Sequence, residues 1–196
     1  MIAAVRAEPR ACPERQSKGS MIGHNSVRAH METSHNLPNA EYRPFEGMRE
    51  YETLIDRMIP QTLRTIRIFD RALSRSYNSQ ERFELLRQFL LASRVNRMMI
   101  AVHDASRMDR ECPRMLLLLK QFSHAVSIRE TLRPAKLVYD PFVIFDASHY
   151  LHRFHYDHLR AAQGTNDVLG AQQLIDRFSE IWDACGPAVS ANVSGL

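Results

Sequence analysis

Apolar positions fall into two alternating rhythms along most of the chain. Tyr51, Leu54, Ile55, Met58 and Ile59 recur at the three- and four-residue spacing of one helix face, and Pro60 ends that helix. Thr65–Phe69 reads as a short strand closing on Asp70. Asn78 and Glu81 then resemble a capping arrangement ahead of a helix whose buried stripe is Phe83, Leu86 and Leu90. Arg97–Val102 predicts a second strand, flanked by His103-Asp104. Pro113 suits the first turn of a helix that Met115–Leu119 makes apolar nearly all round. Ala125–Arg129 and Phe142–Phe145 predict further strands, and Tyr150–Phe154 a half-buried one. Leu174, Ile175, Phe178, Ile181 and Trp182 line a last helix from Val168 to Ala184, which Gly186-Pro187 stops.

Strands separated by helical segments of these lengths predict an α/β fold. Its sheet is expected to be mostly parallel, with helices on both faces and an antiparallel hairpin near the C-terminal end. Residues 1–45 are polar, show no sustained period, and read as a disordered leader. The domain is then expected over 46–186, with a flexible tail over 187–196.

Composition narrows the class only a little. A hydrophobic fraction of 44% and a charged fraction of 24% are those of an ordinary globular protein. No apolar run is long enough to cross a bilayer, and no secretory signal stands at the start, so a cytoplasmic location without membrane contact is expected. Cys12, Cys112 and Cys185 are widely spaced and read as reduced thiols. The net charge of +4 is weak evidence for a nucleic-acid partner, because half of the excess lies in the leader.

The segment Tyr139-Asp140-Pro141-Phe142-Val143-Ile144-Phe145-Asp146 is an apolar strand that delivers a carboxylate at its exit. Together with the return through Tyr150–Phe154, Asn166 ahead of the final helix, and Phe178-x-x-x-Trp182, it resembles one half of a phospholipase D-like protein. The stretches Thr65–Asp70, Met98–Asp104 and Ala171–Trp182 are similar to a degenerate bacterial branch of that superfamily. In that branch the domain occurs alone or appended to an acetyltransferase domain. The resemblance covers roughly residues 47–185. Active members carry His-x-Lys-x-x-x-x-Asp: the histidine attacks phosphorus, the lysine balances phosphoryl charge, and the aspartate orients the imidazole. Counted back from Asp146, the histidine position holds Tyr139 and the lysine position Pro141. A phenol without a neighbouring cation and a ring without an N–H replace neither group. Lys18, Lys120 and Lys136 are the chain's lysines, and none lies two residues after a histidine, so no other register restores the pair.

The expectation is therefore a non-catalytic binding or interaction module without a cofactor. Active relatives join two such halves face to face, so the resemblance implies a homodimer or a partner protein, with this strand near the shared face. One alternative keeps the cleft as a phosphate or nucleic-acid site lined by Arg153, Arg160 and Asn166. Another is an enzyme with a different set, His103, Asp104 and Asp146, since functional groups gather beyond the carboxyl ends of parallel strands. His149, His152, His155 and His158 recur every third residue. A strand there throws successive members onto opposite faces, which leaves His155, Asp157 and His158 as a weak metal candidate.

Overall fold

The computed structural model describes residues 39–73 and 75–189. Eight strands form one sheet: β1 (Glu41–Glu46), β2 (Thr65–Asp70), β3 (Arg97–Val102), β4 (Val126–Thr131), β5 (Phe142–Phe145), β6 (His149–Arg153), β7 (Arg160–Thr165) and β8 (Cys185–Ala188), in the order β1-β7-β6-β5-β2-β3-β4-β8. Five helices accompany them: α1 (Met48–Met58), α2 (Gln80–Ala92), α3 (Met108–Glu111), α4 (Pro113–Gln121) and α5 (Val168–Asp183).

The sheet is mixed, which corrects the expectation of a mostly parallel one. The β2–β3 and β3–β4 ladders are parallel, joined by helical crossovers, while the other five pairings are antiparallel. The reason lies in the connections. Between β4 and β5 the chain makes only a 3-10 turn, Arg133–Leu137. A parallel return needs a dozen or more residues and normally a full helix. The predicted hairpin is present as β5 and β6, with Phe142 opposite His152 and Phe145 opposite His149.

Three strands fall outside the sequence expectation. β1 lies largely within the stretch assigned to the leader, yet Glu41–Glu46 pairs with β7 along its whole length. Residues 1–38 lie outside the described residues. β8 extends the sheet through Pro187 and Ala188, the first two residues assigned to the tail. β7, Arg-Ala-Ala-Gln-Gly-Thr, lacks β-branched bulk except at its end. Its small residues leave room for a neighbour: a Cβ on Gly164 would stand 2.2 Å from the Tyr150 ring.

Alternation along the strands builds two apolar layers. Ile66, Ile68, Met98, Ile100, Ile128, Val143 and Phe145 are buried beneath α1, α2 and α4. Phe69, Phe142, Ile144 and Tyr150 are buried beneath α5. Helices thus cover both faces, as expected. In α1, Tyr51, Leu54, Ile55 and Met58 are the buried residues, and each is worth about 1.5–3 kcal/mol of burial. Ser79 caps α2 by accepting from the Arg82 N–H at 3.1 Å, in place of the expected Asn78.

Candidate functional site

The carboxyl ends of β2, β3 and β4 share one edge of the sheet with the start of β5, the end of β6 and the start of β7. This edge holds a cavity of about 180 Å³. Asp70 and Arg71 enter it from β2, Tyr51 and Glu52 from α1, Tyr77 from the turn before α2, and Arg153 from β6.

Arg153 is the pivotal group. It is 8% exposed, and its Nη2 donates to the carbonyls of Tyr156 (2.5 Å) and His158 (3.2 Å), holding the β6–β7 loop in place. Its Nε is buried and has no partner. A buried donor left unmade costs roughly 1–3 kcal/mol, so an acceptor in the cavity would find it ready. The backbone N–H of Arg153 donates to the Pro141 carbonyl at 2.8 Å. A guanidinium on the adjacent strand therefore stands beside the position at which the resemblance places a lysine.

The surroundings are mixed in charge. Burial pushes the Asp70 carboxyl up to about 6, although the Arg71 N–H bond at 2.7 Å and the Arg153 charge both pull it down. Burial also raises the Tyr51 and Tyr77 phenols, so both stay protonated donors at neutral pH. At the cavity wall, which both residues line, the Arg71 guanidinium lies 4.6 Å over the Tyr156 ring. His155 stacks on Tyr156 at 4.7 Å, and Tyr139 lies 5.8 Å from His155.

The structure distributes the sequence candidates unevenly. Tyr139, 43% exposed, and Pro141 lie at the cavity edge of the sheet, and Arg160 begins β7 there with Arg153 opposite Ala161 beside it. Asn166 follows the far end of β7, about six residue steps or roughly 20 Å from Arg160, and its N–H donates to His149. It therefore does not join Arg153, and neither does Arg160, which alternates to the face of β7 opposite Arg153 and does not line the cavity. Asp146 also lies at the far edge. Its φ is +56°, and its carboxylate accepts from the N–H groups of Leu63 (2.8 Å), Arg64 (2.7 Å) and Thr65 (2.9 Å). It fixes the entry of β2.

His103 and Asp104 stay at the carboxyl edge. The His103 N–H contacts the Asp70 carbonyl while the Asp146 N–H contacts the Thr65 carbonyl. Five steps of β2, roughly 16 Å, thus separate these two candidates. Both ring nitrogens of His103 are engaged, Nδ1 with Thr131 Oγ1 at 2.6 Å and Nε2 with the Val138 carbonyl at 2.7 Å. Burial, opposed by the Val138 bond, holds its pKa below the ordinary histidine value. The Asp104 carboxylate turns back on the Ser106 N–H at 2.8 Å. This pair ties β3 to β4 and to the following turn. His155 and His158 lie with ring centres 5.1 Å apart, and Asp157 Oδ2 is 3.9 Å from His155 Nδ1. Among the described residues no group of three or more His, Cys, Asp or Glu is placed to hold a metal ion.

Asp70, Arg71, Tyr51, Tyr77 and Tyr156 went unnoticed in the sequence as site residues. The available signal was Asp70 at a strand exit, the same signal that drew attention to His103.

This architecture places the protein in the phospholipase D-like fold class. Nuc of Salmonella typhimurium, a phospholipase D family member, superposes with a TM-score of 0.57 at 11% identity, over 77% of this chain and 99% of that one. NucT from Helicobacter pylori gives 0.52 at 10% identity, over 75% and 98%. TrmBL2, an archaeal chromatin protein with a novel mode of DNA binding, gives 0.55 at 11% identity, over 79% of this chain and 56% of that one. The chain thus spans little more than half of TrmBL2 but nearly all of Nuc and NucT. At these identities the likeness is one of fold. By sequence the chain belongs to the family described as Domain of unknown function (DUF7931), whose model matches residues 48–191. No curated protein matches it. Among the described residues no helix is long and apolar enough to cross a membrane.

Proposed function

We propose that this chain is a non-catalytic phospholipase D-like binding module, a bacterial pseudoenzyme of the cytoplasm, which holds a phosphate group in the Arg153 cavity without cleaving it. One observation carries the reading: a buried guanidinium with an unpartnered Nε lines an open cavity beside the register of the missing lysine. Arg71 adds a second cation, and the Tyr51 and Tyr77 phenols line the same space as donors. Tyr139 stands where the resemblance places the attacking histidine, so the family's covalent intermediate has no imidazole nucleophile at that position.

Asp70 sets the pH dependence of this binding. An anion beside it is disfavoured while the carboxyl is ionised and favoured once it is neutral. A phosphodiester, whose own charge is constant near neutrality, should bind more tightly as pH falls through about 6. Calorimetric titration with dimethyl phosphate tests this at pH 5.5 and 7.5. Tighter binding at the lower pH is expected, abolished by Arg153→Gln and made pH-independent by Asp70→Asn. Equal heats from wild type and Arg153→Gln would remove the reading.

The same edge carries Leu132, Leu137, Tyr139, Phe154 and Leu159, all exposed large hydrophobic side chains. This apolar rim supports self-association of two copies across the edge, which would close the cavity from solvent. Light scattering at micromolar concentration reads it directly: a single 22.7 kDa species would exclude the dimer.

A further inference from the structure

The opposite edge of the sheet carries a different concentration of charge. Arg64 and Arg94 stand on the loops that enter β2 and β3, Arg67 and Arg97 lie in the first halves of those strands, and Arg129 lies further along the sheet, level with Phe69 near the carboxyl end of β4. The three strand residues alternate with Ile68, Met98 and Ile128, which point into the layer under α1, α2 and α4. They therefore project from the other face, the one α5 covers in part.

The register fixes their spacing. Arg97 stands opposite Thr65, and Arg67 opposite Met99. One strand and two residues put Arg67 about 8 Å from Arg97, backbone to backbone. Arg129 stands opposite Ala101, and Ala101 opposite Phe69, so Arg129 lies about 12 Å from Arg67 on the same face. The backbones of Arg64 and Arg94 lie beside Arg97, because the Arg97 N–H donates to the Arg64 carbonyl and Arg97 Nη1 to the Arg94 and Asn96 carbonyls.

None of these five guanidinium groups makes an ion pair among the described residues. The nearby carboxylate is that of Asp146, whose oxygens already accept three backbone N–H groups. Arg129 has a buried Nε without a partner and lies 4.5 Å over Trp182. Burial lowers the pKa of Arg67, and the Asp146 charge opposes this only in part, so an added anion would relieve it. Arg43, Arg82, Arg87, Arg107 and Arg177, elsewhere on the molecule, have carboxylate partners, while other arginines have none; what sets this group apart is its clustering on one part of the sheet.

We propose that the Arg64, Arg67, Arg94, Arg97 and Arg129 surface is a docking site for the phosphate backbone of a nucleic-acid duplex, separate from the Arg153 cavity. Planar guanidinium forks match phosphate oxygens bidentately, and five of them without counter-charges leave a local excess that a polyanion neutralises. Arg64, Arg67, Arg94 and Arg97 stand toward the end of β2 opposite the cavity, and Arg129, level with Phe69, lies between the two sites.

Fluorescence anisotropy of a labelled 20-base-pair duplex with the full chain tests this at 50 and 200 mM salt. Five phosphate contacts give a salt slope near −4.5, hence a loss of affinity of about 500-fold across that range. Replacing the three exposed residues (Arg64→Glu, Arg94→Glu, Arg97→Glu) should weaken binding at least about 30-fold at 50 mM and reduce the slope to near −2. Replacing Arg71 and Arg160 with Glu at the other edge should leave both unchanged. Melting curves verify that each variant is folded, and Arg94→Ala alone, with a slope lowered by about 1, serves if the triple variant is not. The proposal is overturned if the triple variant binds within twofold of wild type, if wild type does not bind the duplex, or if the Arg71/Arg160 variant loses as much. Binding to acidic peptide or anionic vesicles without binding to duplex also overturns it.

Discussion

Replacing Asp146 with alanine removes one side chain that satisfies three backbone N–H groups at the entry of β2. Each is a charge-assisted bond of 2.7–2.9 Å, a class worth about 1.5–3 kcal/mol. Leu63 and Arg64 are exposed, so water replaces the carboxylate at their N–H groups, while Thr65 is half-buried and loses more. Summed with that discount, the bonds contribute about 2–3 kcal/mol. Alanine would also have to hold a φ of +56°, costing about 1 kcal/mol more. The expected loss is about 3–4 kcal/mol for Asp146→Ala. Asp146→Asn should lose only about 1 kcal/mol, because asparagine tolerates the left-handed region and keeps an acceptor oxygen. Urea unfolding followed by circular dichroism and by the emission of Trp182, the single tryptophan, measures both. If alanine costs under about 1 kcal/mol, or the two variants coincide, the carboxylate is not an anchor of the fold.

Arg82 is 1% exposed and bonds Asp56 twice, Ser76 Oγ, and the Glu52 carbonyl. Arg82→Ala should destabilise by about 3 kcal/mol, the low end for breaking a buried pair because Asp56 rehydrates; a urea midpoint unchanged from wild type would refute this. Asp70 has a folded pKa of about 6 against 3.8 unfolded, so between these values the folded state binds more protons and stability falls as pH rises. The loss, up to about 3 kcal/mol, is complete above pH 6, and Asp70→Asn should exceed wild type by about 1–3 kcal/mol at pH 7 but not at pH 4. A gap that stays constant over that range would contradict the burial of this carboxyl. His103 moves the other way: its pKa is lowered by folding, so stability should decline as pH drops below about 6.5, and a His103→Gln variant should lose that decline in thermal melts.

The sequence made the core of the fold readable where one strand carries its own signal. β2 and β3 are apolar runs with a boundary on each side, and β5 and β6 are close enough in sequence to declare a hairpin. β1, β7 and β8 carry no such signal. Glu41–Glu46 is exposed at nearly every position and contains Pro44, and Cys185–Ala188 contains Gly186 and Pro187. These become strands because a neighbour offers a ladder, a contribution no local pattern records. The parallel expectation failed for the same reason, since strand direction depends on what fills the gap between β4 and β5. Arg153 was legible as a side chain at the end of the hairpin. Its cavity was not, because Tyr51, Asp70 and Tyr77 come from three segments that meet only after the sheet closes. His103 drew attention as a polar residue at a strand exit, and both its ring nitrogens are engaged by short bonds within the chain.

Phosphorus NMR of a dialkyl phosphodiester mixed with stoichiometric protein at pH 6 tests both halves of the proposal, binding and absence of cleavage. The account predicts a shifted or broadened diester resonance that Arg153→Gln restores to its free position, with no monoester signal after days. A growing monoester resonance, or a diester resonance unaffected by the protein, would contradict it.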